Sequence, residues 1–280
     1  MVVRELYEFG VDKLSELEAP KIDARAILED VLGVEFGKLI LHYNDAVTRE
    51  VYDDYACRLE KRCRNMPLSY ITNKKEFYSL SFYVKEGVLI PRPETENLVK
   101  AVLDNLPQKK DMKIADLCSG SGCIGITLGL KTGLPVHLYE VSEEAISVSK
   151  INCDKLSEKN IKITRKDILS EELEGKYDVI VSNPPYIPLA DIPEIMPEVR
   201  DYEPKIALTD DGDGFKFYRR ILELSKKHLN EGGILAVEVG INQHNEVKKI
   251  FAEIYDDIEI ICDYFGIERV VMVKCRNYTR

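Results

Sequence analysis

From about residue 94 to residue 254, short apolar runs alternate with segments of helical spacing, and this alternation restricts the chain to a sheet of parallel strands with helices on its faces. The expected order is helix about 94–105, strand 113–117, helix 122–131, strand 136–140, helix 143–155, strand 161–164 and strand 177–182. A long irregular stretch follows, then helix 214–229, strand 233–238, helix 242–254 and a terminal hairpin of strands near 258–263 and 269–274. Parallel strands covered on both faces read as near-continuous apolar runs, and Tyr177-Asp178-Val179-Ile180-Val181-Ser182 is such a run. A doubly wound α/β domain is expected, with its ligands beyond the carboxyl ends of the strands.

Upstream, residues 3 to about 64 carry apolar side chains at helical spacing: Leu6, Leu14 and Leu17, then Ala24, Ile27, Leu28 and Val31, then Val51, Tyr55 and Leu59. Four or five short helices are expected, capped at Asp23 or Thr48 and one of them ended at Gly33. Between Glu76 and Val84 the period changes to two and aromatics accumulate, which reads as a strand or hairpin joining two domains. The expected organisation is a helical domain at 1–72, a β-hairpin linker at 73–90 and an α/β domain at 91–280.

Asn183-Pro184-Pro185-Tyr186 directly follows the buried run, placing a rigid polar loop at a strand's carboxyl end. A carboxamide or exocyclic amine nitrogen has a delocalised lone pair and must be oriented before it attacks an electrophile. The Asn183 side-chain oxygen and the Pro184 carbonyl offer acceptors for its two N–H donors, while Tyr186 packs on the planar group. A methylated nitrogen cation loses its proton readily, so the clamp works by positioning and needs no strong base.

The electrophile's site is read from three earlier strand ends. Cys118-Ser119-Gly120-Ser121-Gly122 forms a small-residue turn between a strand and a helix, where backbone N–H groups approach a ligand. Glu140 ends the second strand 18 residues after Gly122 and presents two acceptors to a ribose. Asp167 and Ile168, after the third, are placed to flank an adenine edge. Together these ends fit a class I, Rossmann-like, S-adenosylmethionine-dependent methyltransferase. The turn departs from the full G-x-G-x-x-G spacing, which argues against hydride transfer.

Composition narrows the partners. A net charge of −10 disfavours an extended duplex-binding surface, although Arg58, Lys61, Arg62, Arg64, Lys74 and Lys75 leave room for a local basic patch. Seven cysteines without a CxxC pair support neither a zinc site nor a disulfide framework, and no metal is expected. No apolar run approaches the roughly 18 residues of a membrane span, and the first residues lack a signal-peptide pattern, so a soluble cytoplasmic protein is expected.

With these residues in view, the chain resembles the HemK/PrmC family of protein-(glutamine-N5) methyltransferases over nearly its whole length. The resemblance rests on Asn183–Tyr186, Pro67-Leu68-Ser69-Tyr70-Ile71, Glu76-Phe77-Tyr78, the run Leu89-Ile90-Pro91-Arg92-Pro93-Glu94-Thr95-Glu96, Glu203-Pro204, Asp213-Gly214 and Glu238-Val239-Gly240 with Gln243. It implies methyl transfer from S-adenosylmethionine, leaving S-adenosylhomocysteine, to the glutamine of the Gly-Gly-Gln loop in class I peptide chain release factors. Under it Asn183, Pro184, Pro185 and Tyr186 hold the amide, and Arg92 and Glu94 help build the mouth. The helical domain grips the factor, and the enzyme acts as a monomer. Cys118 stands where the family commonly has Gly, Glu140 where it commonly has Asp, and Tyr264-Phe265-Gly266-Ile267-Glu268-Arg269 where it often has Gly-Arg-Asp-Arg. Two other readings compete: an adenine-N6 or guanine-N2 methyltransferase using the same clamp on a flipped base, and a binding module that keeps the fold without catalysis.

Overall fold

Leu6, Leu14, Ala24, Ile27, Leu28, Tyr55 and Leu59 are all buried and form the core of the first of two units in the computed structural model. The structure describes residues 1–107, 109 and 111–275. This unit comprises Met1–Lys74 and Met196–Tyr202. Its helices are α1 (Val3–Lys13), α2 (Pro20–Leu32), α3 (Arg49–Cys63) and α4 (Leu68–Thr72). Thr48 caps α3 by accepting the Val51 N–H, and Gly33 ends α2 in the left-handed region at φ 65°. Asp23 is not a cap. Pro20 opens α2 three residues earlier, so Asp23 lies inside the helix, buried, and accepts from Arg62 Nε at 2.7 Å.

Half of the expected basic patch, Arg58, Arg62 and Lys74, is spoken for within the same unit. Arg62 also pairs with Glu198 at 2.8 Å, Arg58 pairs with Asp30 and Asp54, and Lys74 pairs with Asp30. Lone basic side chains would attract phosphates; paired ones have already exchanged their hydration for carboxylates.

The second unit comprises Lys75–Ile195 and the chain from Glu203 onward. A hairpin of β1 (Lys74–Phe77) and β2 (Leu80–Tyr83) leads to α5 (Glu96–Asn105), β3 (Ile114–Leu117), α6 (Cys123–Thr132), β4 (Val136–Glu140), α7 (Glu143–Lys155), β5 (Ile161–Arg165) and β6 (Tyr177–Ser182). After α8 (Pro197–Tyr202), which belongs to the first unit, come α9 (Lys216–His228), β7 (Leu229–Glu238), α10 (His244–Phe251), β8 (Ile258–Cys262) and β9 (Glu268–Lys274). Strand β7 begins four residues before the expected 233. Leu229 pairs with Tyr177 and the register then shifts before Ile234 meets Val179, so the Asn230–Gly233 stretch hides the strand from a periodicity reading.

The seven strands run in the order β5-β4-β3-β6-β7-β9-β8, parallel except for β9, which is antiparallel to both neighbours. From β3 the chain winds outward first through β4 and β5, then on the other side through β6 and β7. The carboxyl ends of β3 and β6 are therefore adjacent, with Leu117 opposite Ser182, and the crevice opens at this reversal of strand order. One face is filled by Ile180, Leu235, Tyr218, Ile221 and Phe251 among others, the opposite face by Val179, Val181, Val99, Ile126 and Leu138.

Candidate active site

The turn after β3 is held from two sides. Cys118, Gly120 and Gly122 all have positive φ, at 57°, 54° and 79°. Gly120 donates its N–H to Glu140 Oε2 at 2.8 Å, and its carbonyl accepts from Ser149 Oγ at 2.8 Å. Asn152 Nδ2 donates to the Ser121 carbonyl at 3.0 Å, so α7 supplies two fasteners that no motif had marked. Below the turn, Asp116 Oδ2 accepts the Gly125 N–H of α6 at 2.9 Å, and burial pushes the Asp116 carboxyl up to about 8.

Glu140 is buried, and its oxygens accept from the Gly120, Val141 and Ser142 N–H groups. Burial raises its pKa while these backbone donors lower it. Oε1 takes the Val141 and Ser142 donors and Oε2 only that of Gly120, so the same side chain that shapes the turn retains acceptor capacity at Oε2. Asp167 closes the turn after β5, accepting from Leu169 N–H and Ser170 Oγ at 2.9 Å each.

These ends surround a cavity of about 240 Å³ whose lining includes Cys118, Ser119, Gly120, Ser121, Glu140, Asp167, Ile168, Asn183, Pro185 and Arg92. Gly122, Pro184, Tyr186 and Glu94 stand outside that lining. Ser119, in the lining, has its Oγ buried and, among the described residues, without a hydrogen-bond partner, and a Cβ added to Gly120 would meet nothing within 4 Å. An unspent hydroxyl, an open backbone approach and two carboxylates suit a polar cofactor with ribose and adenine parts. The two cysteines of the lining are held as thiols: burial raises Cys118 well above its usual value and pushes Cys123 up to about 12.

At the end of β6, the Asn183 side chain donates from Nδ2 to Thr95 Oγ1 at 3.1 Å. Among the described residues nothing donates to Asn183 Oδ1 or to the Pro184 carbonyl. Tyr186 donates its hydroxyl to Glu238 Oε1 at 3.3 Å, and its carbonyl accepts from Gln243 Nε2 at 2.8 Å. Arg92 pairs with the buried Glu203, which also accepts the Ile90 N–H at 3.1 Å. Thr95, Glu203, Glu238 and Gln243 all lie in segments that carry the family resemblance, but their roles come from contacts across 52 or more residues of sequence.

Residues 94–194 match the model of the methyltransferase small domain, and residues 5–72 match that of the PrmC N-terminal domain. Among solved structures, a methyltransferase from Pyrococcus furiosus aligns with a TM-score of 0.56 at 16% identity, covering 79% of this chain and 100% of that one. The hMettl16 catalytic domain in complex with a 3′UTR hairpin aligns at 0.59 and 18% identity, over 80% and 83% of the two chains. The fold is thus that of the Rossmann-like, S-adenosylmethionine-dependent methyltransferases, to which the crevice and its strand-end residues also point. Release factor glutamine methyltransferases of Clostridium acetobutylicum and Clostridium botulinum are 41% and 35% identical to this chain, covering 89% and 99% of it and 90% and 100% of their own lengths. The chain belongs to the release factor glutamine methyltransferase family.

Proposed function

We propose that this protein methylates the side-chain amide nitrogen of the glutamine in the Gly-Gly-Gln loop of class I peptide chain release factors, using S-adenosylmethionine and leaving S-adenosylhomocysteine. The observation that carries the reading is the state of Asn183: its amide nitrogen is committed to Thr95, so its oxygen is turned outward as an acceptor beside the cavity. With the open Pro184 carbonyl it takes both N–H bonds of a primary amide, orienting the nitrogen's lone pair. Bound S-adenosylmethionine supplies a methyl group on a sulfonium, the electrophile that this nitrogen attacks. Glu140 and Asp167 hold its ribose and adenine ends, Ser119 to Gly122 approach it through backbone and hydroxyl groups, and Ile168 packs on its base.

Tyr186 bounds the amide slot and Pro185 its floor, while Arg92, tied to Glu203, shapes the mouth with Glu94 nearby in sequence. The helical unit is assigned the grip on the release factor, which acts as substrate of a monomeric enzyme. Among the described residues no helix is long and apolar enough to cross a membrane. Translation termination places the reaction in the cytoplasm.

The test is mass spectrometry of unmethylated release factor incubated with the protein and S-adenosylmethionine. One added methyl, mapped to the Gly-Gly-Gln glutamine and lost when that glutamine is replaced by alanine, is expected. Asn183→Ala should lower kcat about 100-fold or more while leaving the cofactor dissociation constant nearly unchanged. Transfer to DNA or RNA in place of the factor would overturn the assignment.

A further inference from the structure

Pro184 and Pro185 deny the loop after β6 two backbone N–H donors, so the peptide that follows them has to anchor it. That peptide, Tyr186–Ile187, is bonded on both sides. Ile187 donates its N–H to the Leu208 carbonyl at 2.9 Å, and the Tyr186 carbonyl accepts from Gln243 Nε2 at 2.8 Å. Gln243 lies 57 residues further along, in the turn between β7 and α10, with 8% of its surface exposed.

The partners of the Gln243 amide leave it one orientation. Its Oε1 accepts the Gly240 N–H at 3.0 Å, and a backbone N–H only donates; its Nε2 meets a carbonyl, which only accepts. The Gln243 main chain is fixed as well, donating its N–H to the Gly240 carbonyl at 3.1 Å and accepting from Glu246 and Val247 in the first turn of α10. The side chain is therefore a strut of set length and direction from this turn to the loop. Gly240 leaves it room: an added Cβ would come within 2.7 Å of Gln243 Oε1 and 3.1 Å of Tyr186 Cδ2. The Tyr186 ring thus lies against Gly240, and its hydroxyl reaches Glu238.

We propose that Gln243 is a positioning residue for this reaction, its NH2 group clasping the Tyr186 carbonyl so that the Tyr186 ring and the Pro184 carbonyl keep their places around the substrate amide. This rests on the proposed amide methylation for its kinetic consequence, though the clasp itself does not. Without a donor at this end of the side chain, the peptide keeps only its bond to Leu208. A shift of about 1 Å in a positioned group is enough to lower a rate about 100-fold. The turn after β3 is held separately by Glu140, Ser149 and Asn152, so the loss falls on the nucleophile's side of the site.

Three readouts test this on the full chain. In Gln243→Leu, which removes the donor, exchange of the Ile187 amide hydrogen should quicken about fivefold or more relative to the parent. With S-adenosylmethionine and release factor, kcat of the same variant should fall about 10-fold or more, while cofactor affinity and the KM for the factor stay within about twofold. Gln243→Glu keeps the shape and the acceptor for Gly240, and regains a donor for the Tyr186 carbonyl only when its carboxyl is protonated, a form that burial favours. Its kcat at about pH 5.5 should exceed that of Gln243→Leu about threefold or more, the excess shrinking as the carboxyl ionises. Asp210, Tyr218, Glu238, His244, Glu246 and Arg269, the titratable groups on the elements around residue 243, are common to both variants, so their titration cancels in the comparison. Unchanged Ile187 exchange in Gln243→Leu overturns the proposal. So does a kcat within about twofold of the parent, or a Gln243→Glu variant no faster than Gln243→Leu at about pH 5.5. If Gln243→Leu does not fold, the same exchange is read in Gln243→Glu near pH 8, where unchanged protection overturns the proposal equally. Absence of factor methylation by the parent protein would instead sink the substrate assignment, and the Ile187 exchange would still decide the clasp.

Discussion

Cys118 holds a left-handed backbone conformation, φ 57°, at the entrance of the glycine turn after β3, where a side chain costs roughly 1–2 kcal/mol and glycine costs nothing sterically. Its thiol is partly buried against the core on one face of the sheet, which offsets part of that strain. Cys118→Gly should therefore change stability by no more than about 1 kcal/mol, strain relief balancing lost packing and the larger unfolded-chain entropy. Cys118→Val, β-branched in the same conformation, should destabilise by about 2 kcal/mol or more. Urea unfolding of the two variants checks both; a Val variant as stable as the parent would show the turn to be relaxed. The departure from the family's glycine was visible in the sequence, whereas the sign of φ was not.

The loop after β6 is rigid through its two prolines and also through the elements that meet it. Gly214, at φ 82°, sits so close that an added Cβ would come within 2.4 Å of the Tyr186 carbonyl oxygen and 3.0 Å of Gln243 Nε2. Asp210 fixes the turn that carries Gly214, accepting its N–H at 3.0 Å, that of Gly212 at 2.8 Å and that of Lys216, the first residue of α9, at 2.9 Å. Gly214→Ala must move either this turn or the Tyr186 peptide. It should cost about 1–3 kcal/mol in stability and lower kcat several-fold, with cofactor affinity little changed because the glycine turn after β3 is untouched. Calorimetry and titration of the cofactor on the same preparation separate the two effects; a variant that loses cofactor binding in step with kcat would contradict it.

The second unit buries groups whose protonation equilibria oppose one another. His137 bonds to Tyr177 and Thr164 within the sheet, and burial lowers it to about 4. The fold favours the neutral ring, so the unfolded chain takes up a proton first, and the stability His137 contributes is lost as pH falls from about 6.5 toward 4. Asp116 and Glu238, raised to about 8 and about 7, act in the other direction. They stay protonated in the fold while the unfolded carboxyls ionise near 4, so their contribution is present at low pH and is lost as pH rises toward 7 and 8. His137→Gln removes only the first effect. Its urea midpoint should rise between pH 7 and pH 5 more steeply than the parent's, and an identical pH dependence would refute the assignment of a buried neutral imidazole.

Where side-chain period and strand position suffice, the sequence determined the outcome: the order of strands and helices after residue 94, the Asn-Pro-Pro-Tyr loop at a strand end, and the acidic residue after the second strand. Each is a local property, set by which residues can be buried on both faces of a strand or can turn a chain without strain. Tertiary structure alone decided the rest. That Asp23 is a buried ion-pair partner and not a cap, that 196–202 joins the helical unit through Glu198 and through the Tyr202 hydroxyl on the Arg64 carbonyl, and that Asn183 bonds to Thr95 and Tyr186 to Glu238, all depend on residues far apart in the chain. Such partners carry no period and no spacing, because they are selected by the packing of finished elements, where a buried polar atom must find its hydrogen bond among whatever the fold brings near.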